Sequence, residues 1–226
     1  VLTVHHLDHS RSHRVLWLLE ELGVEYDVRR YERDPATLRA PPSLKAIHRL
    51  GRSPTITDGG QALAESGAIL EYLVDRYDDG RLAPARGTPD RERYMYFMHY
   101  AEGSAMLPLV LRLIFDQMPR QPMPALARPV VRALAKNVID TFVRPQIEEH
   151  LDHMEAALTE SPWFAGNAFS AADIQMSFPV EVAAAGGGRL DATRPRLSQY
   201  LQRIRERPAY GRALAKGGPY DLTKLG

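Results

Sequence analysis

The chain has no cysteine. That removes disulfides, thiolate metal sites and a protein thiol nucleophile together, and a reducing compartment suits such a chain. Net charge is almost absent: 29 basic against 28 acidic residues give +1 at pH 7, which argues against a general nucleic-acid binder. No apolar run approaches the roughly 18 residues of a bilayer-spanning helix, and no signal peptide is visible. A cytoplasmic protein with no membrane partner is expected. Internal repeats and low-complexity tracts are absent. What is present is 226 residues, 44% hydrophobic and 25% charged, enough for one large or two smaller domains with well-buried cores.

The most informative stretch runs from Ser10 to Gly23. Small hydroxyls open it, and Val15, Leu18, Leu19 and Leu22 then recur at helical spacing until Gly23 closes the helix. Ser10 and Ser12 stand at or just before the helix start, where unpaired N–H groups and the positive dipole end face outward. Ser12 is the expected N-cap. Leu2 and Val4 alternate with polar neighbours upstream and read as a strand. Strand, hydroxyl-bearing loop and helix N-terminus together make a site for an anion.

Further along, residues 26–31 read as a second strand, with Tyr26, Val28 and Arg30 on one side, broken by Asp34-Pro35. Ser43 to His48 forms a short helical patch, and Gly51-Arg52-Ser53-Pro54 turns into a third strand at Thr55-Ile56-Thr57. Asp58-Gly59-Gly60 is a hairpin signal, Gln61-Ala62-Leu63 returns as its partner, and a helix follows from Glu65 to Tyr77. The order is β-α-β-α-β-β-α over residues 1–78. Residues 79–89, rich in Asp, Gly and Pro, read as a linker, and residues 90–226 as an all-helical domain. Long helices are expected over 90–118 and over 125–158, the second bent near Pro129 and Pro145. Ser170 and Asp173 have capping-box spacing, with Phe169 and Ile174 as a hydrophobic staple. Ala185-Gly186-Gly187-Gly188 ends that helix, and two more begin at Pro195 and Pro208.

The chain resembles the cytosolic glutathione transferases over nearly its whole length. Ser10-Arg11-Ser12-His13-Arg14-Val15, Leu50-Gly51-Arg52-Ser53-Pro54, Glu65-Ser66 and Phe169-Ser170-Ala171-Ala172-Asp173-Ile174 carry the match through their order and spacing. It is most similar to the bacterial and fungal serine-type group whose first helix opens with Ser-Arg-Ser. The resemblance implies an α/β, thioredoxin-like N-terminal domain, an all-α C-terminal domain and a homodimer.

It also implies roles. Ser10 matches the serine that hydrogen-bonds the glutathione sulfur. A free thiol of pKa about 8.5 is mostly protonated at neutral pH, and a hydroxyl donor beside a helix N-terminus favours the thiolate. The competing reading leaves Ser10 satisfying a loop amide. Glu65 and Ser66 match the pair that holds the γ-glutamyl end, the carboxylate for the ammonium and the hydroxyl for the α-carboxylate; an ordinary acidic first turn is the alternative. Pro54 matches the family's cis-proline, beside which the cysteinyl backbone of the ligand pairs. Ser53 stands where the family usually has an apolar β-branched residue, leaving a hydroxyl without an assigned purpose. Arg52 is placed to meet the glycyl carboxylate or to lie solvated. His48-Arg49 replaces the frequent Asn-Pro of the family.

The implied activity is transfer of glutathione to a small hydrophobic electrophile, with glutathione as co-substrate. The electrophile pocket would lie between the Ser10 loop and the first long helix of the second domain, lined by Met106, Leu107 and Val110. A glutathione-dependent peroxidase, isomerase or lyase would use the same thiolate, and a non-catalytic binding module would keep only the fold. His5, His6, His9 and His13 fit no metal-ligand spacing, so no metal is expected. His150 and His153, with Glu148 and Glu149, read as a solvated helix face, and the arginines after Arg189 as surface.

Overall fold

A computed structural model describes residues 1–34, 37, 39–186, 190, 193–218 and 220–223, with the backbone alone at 224 and 225. Pro35, Gly187 and Gly188, assigned above to a strand break and a helix stop, lie outside the described residues, as does Arg189. Four strands are present among the described residues: β1 (Thr3–Leu7), β2 (Asp27–Tyr31), β3 (Thr55–Asp58) and β4 (Gln61–Ala64), in the sheet order β2-β1-β3-β4. β1 runs parallel to β2, with Thr3 opposite Asp27 and Leu7 opposite Tyr31. It runs antiparallel to β3, with Thr3 opposite Thr57 and His5 opposite Thr55. The β3–β4 hairpin closes through Gly59 and Gly60, both at positive φ (55° and 86°), the backbone that a tight two-residue hairpin turn needs.

α1 (Ser12–Leu22) crosses from β1 to β2 and ends on Gly23, whose left-handed backbone (φ 69°) donates its N–H to Leu19. A one-faced helix was expected, but every residue from Ser12 to Leu19 is buried and Leu22 is only partly so. The reason is tertiary: α1 is packed by β1, by α2 (Ser66–Tyr77), by α7 (Ala171–Ala185) and by α9 (Pro208–Gly217). Trp17 fills the side away from the sheet, against Phe169 and Tyr210, and each such buried side chain contributes about 1.5–3 kcal/mol. On β2 it is Tyr31 that turns inward, while Arg30 is exposed and pairs with Asp8 at 3.1 Å. The helical patch after β2 is a 3-10 turn, Pro42–Ala46, anchored by buried Leu44.

The stretch from Asp78 to Thr88 has no helix or strand, yet it is pinned. Asp78 accepts from the Leu82 amide (2.8 Å), and the Leu82 carbonyl accepts from the Ala171 amide (2.8 Å). One hydrophobic core runs on from Val4, Leu18 and Ile69 to Phe97, Ile174 and Tyr200. The first long helix is α3 (Pro89–Tyr100) joined to α4 (Met106–Gln117) through a π-helical turn, Ala101–Ala105. The second long helix is shorter at its start than expected: α5 (Arg128–Val138), a π turn at Ile139–Val143, then α6 (Arg144–Glu160). Pro129 sits in the first turn of α5, where its missing N–H costs nothing; Pro145 follows directly on the π turn at Ile139–Val143, the irregularity at which the helix takes in a proline. α8 (Pro195–Arg205) completes the bundle.

Several polar side chains read as surface are structural. His150 Nδ1 and His153 Nε2 meet the hydroxyls of Tyr100 (2.6 Å) and Tyr96 (3.1 Å) across α3 and α6. Arg194 is buried between Glu148 and Asp152, and Arg207 and Arg212 reach back to Glu21 and Glu20 on α1. Among the described residues, no helix is long and apolar enough to cross a membrane, and no group of three histidines or carboxylates is placed to hold a metal ion.

Candidate active site

Two helix N-termini meet beside the end of β1. Ser10 precedes α1 and Ser66 opens α2. Arg14, one turn into α1, donates to Ser66 Oγ at 2.9 Å. That contact ties the start of α2 to the first turn of α1. The α2 start turns its first N–H groups and positive dipole end to this region, whereas at α1 the Ser12, His13 and Arg14 amides are taken by Ser10 Oγ, the Ser10 carbonyl and the Arg11 carbonyl.

Arg14 is fully buried. It also donates to the Gln175 carbonyl (2.6 Å) and to Glu102 Oε1 (2.5 Å). Burial works against its charge, and Glu102 offsets that cost. Burial likewise pushes the Glu102 carboxyl up, but Arg14 and Arg11 outweigh it and hold it below its usual value. Arg11 Nε lies 2.9 Å from Glu102 Oε2, and the Phe178 ring lies beneath both guanidiniums, 5.1 and 5.3 Å from their central carbons. Glu102 belongs to the π turn, so this ion cluster brings the start of α4 to the Ser10 loop. Having accepted from Arg14, the Ser66 hydroxyl keeps its own proton for an outside acceptor.

Ser10 is buried, and its hydroxyl is turned inward. Ser10 Oγ is 2.7 Å from Ser12 Oγ and accepts the Ser12 amide at 3.2 Å. Ser12 is therefore not the N-cap: it is the first helical residue, completely buried, and its hydroxyl touches His6 Nδ1 at 2.8 Å. The loop amide is satisfied by Ser10 and the core histidine by Ser12.

Ser53, Pro54, Glu65 and Ser66 surround the β3–β4 hairpin. The Ser53–Pro54 peptide is cis. The Ser53 hydroxyl has a purpose that its position in the sequence did not reveal. It donates to the His5 carbonyl (3.0 Å) and accepts the Leu7 amide (3.2 Å), replacing the β1–β3 ladder just beyond its last backbone pair. Pro54 is buried and Arg52 exposed. Glu65 is exposed and sits at φ 75°, ψ 122°, while its carbonyl accepts the Ile69 amide at 2.9 Å. Such a backbone costs a non-glycine residue about 1–3 kcal/mol and collects at functional sites. His9, immediately before Ser10, is the other non-glycine residue at positive φ among those described.

Of the expected pocket residues, Met106 is buried in the core, whereas Leu107 and Val110 are exposed with Ile114 on the outer side of α4. The four N-terminal histidines do not converge: His5 meets Tyr31, His6 meets Ser12, His9 accepts the Asp221 amide, and His13 stacks on Tyr220 with Tyr210 edge-on to it. Sequence reasoning missed Glu102 and Phe178, weighed His6 only as a metal ligand, and named Arg14 only within the motif that opens α1. Arg14 had a legible signal, since it precedes Leu18 by four residues and so falls on the apolar face; Glu102 and Phe178 had none.

Known proteins resemble this chain over most of its length. The family profile described as glutathione S-transferase, N-terminal domain, matches residues 1–75, and that described as glutathione S-transferase, C-terminal domain, matches residues 135–208. Glutathione S-transferase 1 of Saccharomyces cerevisiae is 31% identical over 223 residues, covering 96% of this chain and 95% of its own. Glutathione S-transferase 3 of Schizosaccharomyces pombe is 34% identical over 81% of this chain and 74% of its own. A crystal structure of a glutathione S-transferase from Actinobacillus pleuropneumoniae superposes with a TM-score of 0.82 at 31% identity, over 100% of this chain and 97% of that one. A sphingomonad glutathione S-transferase complexed with glutathione does so with a TM-score of 0.74 at 26% identity, over 96% and 98%. With both domain profiles and full-length relatives in agreement, the chain belongs to the glutathione S-transferase family.

Proposed function

We propose that this protein is a serine-type glutathione transferase: Ser10 steadies the thiolate of bound glutathione, which attacks a small hydrophobic electrophile. The observation that carries the reading is the Arg14–Ser66 hydrogen bond, because it ties the two helix starts into one anion-receiving corner. Ser66 and the α2 amides hold the γ-glutamyl carboxylate there, and Glu65 meets the ammonium. The Ser53–Pro54 segment lies against the cysteinyl backbone, and Arg52 meets the glycyl carboxylate. The strained backbone at Glu65 and His9 supports the same corner.

In the reaction the Ser10 O–H turns from Ser12 to the sulfur, and a charge-assisted hydrogen bond of about 1.5–3 kcal/mol replaces a neutral one of about 1. The thiol proton leaves to water, and the positioned thiolate attacks the electrophilic carbon; a C–S bond forms while the bond to the leaving group breaks and that group departs with the electron pair, as halide from an aryl halide. The electrophile lies along α4 near Leu107 and Val110, with Met106 behind them. Residues 1–78 form the glutathione domain and residues 90–226 the helical domain, with 79–89 between. The working unit is a cytoplasmic homodimer, as the family resemblance implies.

The test is Ser10→Ala assayed with glutathione and a generic aryl halide. Expected is a fall of about tenfold or more in kcat/KM with glutathione affinity retained, a loss of transition-state stabilisation of at least about 1.4 kcal/mol. Unchanged turnover removes Ser10 from the mechanism. Absence of glutathione binding by calorimetry replaces the enzyme with a binding module. A panel of electrophiles and hydroperoxides separates transfer from peroxidase chemistry.

A further inference from the structure

Ser10, Ser12 and His6 form a hydrogen-bonded line that joins the end of β1 to the start of α1. The links are 2.7 Å from Ser10 Oγ to Ser12 Oγ and 2.8 Å from Ser12 Oγ to His6 Nδ1. All three side chains are buried. On the far side of the imidazole, Nε2 faces the Asp8 carboxylate, 4.0 Å from Oδ1. A carboxylate only accepts, so the proton of a neutral His6 belongs on Nε2, towards Asp8, and Nδ1 is left as an acceptor. Burial lowers His6 to about 4. Asp8 opposes that shift, and Arg30 and His9 reinforce it. The ring is therefore neutral at physiological pH.

That assignment gives the line a direction. Ser12 has one proton and two acceptors in reach, His6 Nδ1 at 2.8 Å and the Leu7 carbonyl at 3.3 Å. The nearer takes it. The Ser12 oxygen then accepts from the Leu7 amide (3.3 Å) and from Ser10. Ser10 already accepts the Ser12 amide, so its own proton points at Ser12.

We propose that Ser12, held by His6, is a positioning residue that restrains Ser10, its oxygen competing with the glutathione sulfur for the one proton that Ser10 can donate. This rests on the transferase reading above and deepens it. A hydroxyl beside the catalytic serine would ordinarily be expected to help it; here the polarity set from Asp8 makes it a competitor. No bond between heavy atoms changes, since the Ser10 O–H only rotates about its C–O bond from one acceptor to the other. Ser12→Ala and Ser10→Ala therefore act on the bound thiol in opposite directions.

The experiment titrates the ultraviolet absorbance of the thiolate of glutathione bound to the native protein, to Ser12→Ala and to His6→Phe. Ser12→Ala is expected to lower the thiol pKa by about half a unit to one unit, which at a pH below the pKa is about a three- to tenfold larger thiolate fraction. His6→Phe keeps a ring in the core but removes the nearer acceptor, so the Ser12 proton divides between the Leu7 carbonyl (3.3 Å) and Ser10, and the effect is expected to be smaller than in Ser12→Ala. The variant is expected to lower the thiol pKa as well, and the acid limb of the kcat profile shifts with it. Ser10→Ala moves the titration upward. Thermal unfolding of each variant confirms that the fold is kept, a readout that a merely structural role would exhaust. Variants that bind glutathione and leave its thiol pKa unchanged or raised overturn the inference alone. A native protein that does not bind glutathione overturns the transferase reading beneath it.

Discussion

The Arg14 guanidinium donates to the Ser66 hydroxyl at 2.9 Å while lying 2.5 Å from the Glu102 carboxylate. One buried side chain thus joins α1, the start of α2 and the π turn before α4. Removing it leaves a carboxylate with only Arg11 and a serine without its donor. Arg14→Met is expected to cost about 3 kcal/mol in urea unfolding, the low end for breaking a buried pair because Arg11 remains. It should also weaken glutathione binding in calorimetry. Arg14→Lys should not restore either, since an ammonium cannot serve three partners spread across a planar fork.

Glu65 combines a strained backbone with an exposed carboxylate. Glu65→Gly relieves the positive φ and should raise stability by about 1 kcal/mol. If the carboxylate holds the γ-glutamyl ammonium, the same change lowers glutathione affinity about tenfold, the equivalent of 1.4 kcal/mol. Stability and affinity moving together would show that Glu65 does not trade one for the other.

His13 is buried between Tyr210 and Tyr220, with neither ring nitrogen hydrogen-bonded. Burial lowers it from 6.5 to about 3, with His6 and Arg14 adding to the shift. His6 is lowered to about 4. The unfolded chain therefore takes up protons that the folded chain refuses. Stability from these groups is complete above about pH 6.5 and is lost as pH falls toward 4 and 3, by up to about 1.4 kcal/mol per unit for each ring. His13→Phe should flatten that acid limb and, by removing two unsatisfied nitrogens, stabilise the protein by about 1 kcal/mol at pH 7. Equal acid limbs in melting curves of the two proteins would count against it.

Asp173 is fully buried and accepts from the Ser170 amide (2.9 Å), the Ser170 hydroxyl (3.1 Å) and the Phe164 amide (2.8 Å). Asp173→Ala strands two buried amides and should cost about 2–4 kcal/mol. Glutathione affinity per folded molecule should stay within about twofold, because the capping box contacts neither Ser10 nor Ser66. Selective loss of catalysis in fully folded protein would contradict this.

Local chemistry was legible without a structure. The Gly59-Gly60 hairpin, the Gly23 helix stop and the Ser170–Asp173 cap depend on neighbours a few residues apart, and their residue types encode the backbone directly. The helix period marked α1, but not that Leu16 and Trp17 would be buried as fully as Leu18. That depends on α7 and α9 arriving from the other end of the chain.

The same division runs through the candidate site. From the amino acids alone came the strand–serine–helix order, the Glu65-Ser66 pair and the family they imply, because those are short-range patterns. Only the folded chain decided that Ser53 completes the edge of β1, that Arg14 and Glu102 weld the corner, and that the Ser10 hydroxyl turns to Ser12 rather than outward. A hydrogen bond is set by distances between residues that are far apart in the chain, 161 positions for Arg14 and Gln175, and no periodicity along a chain carries that information.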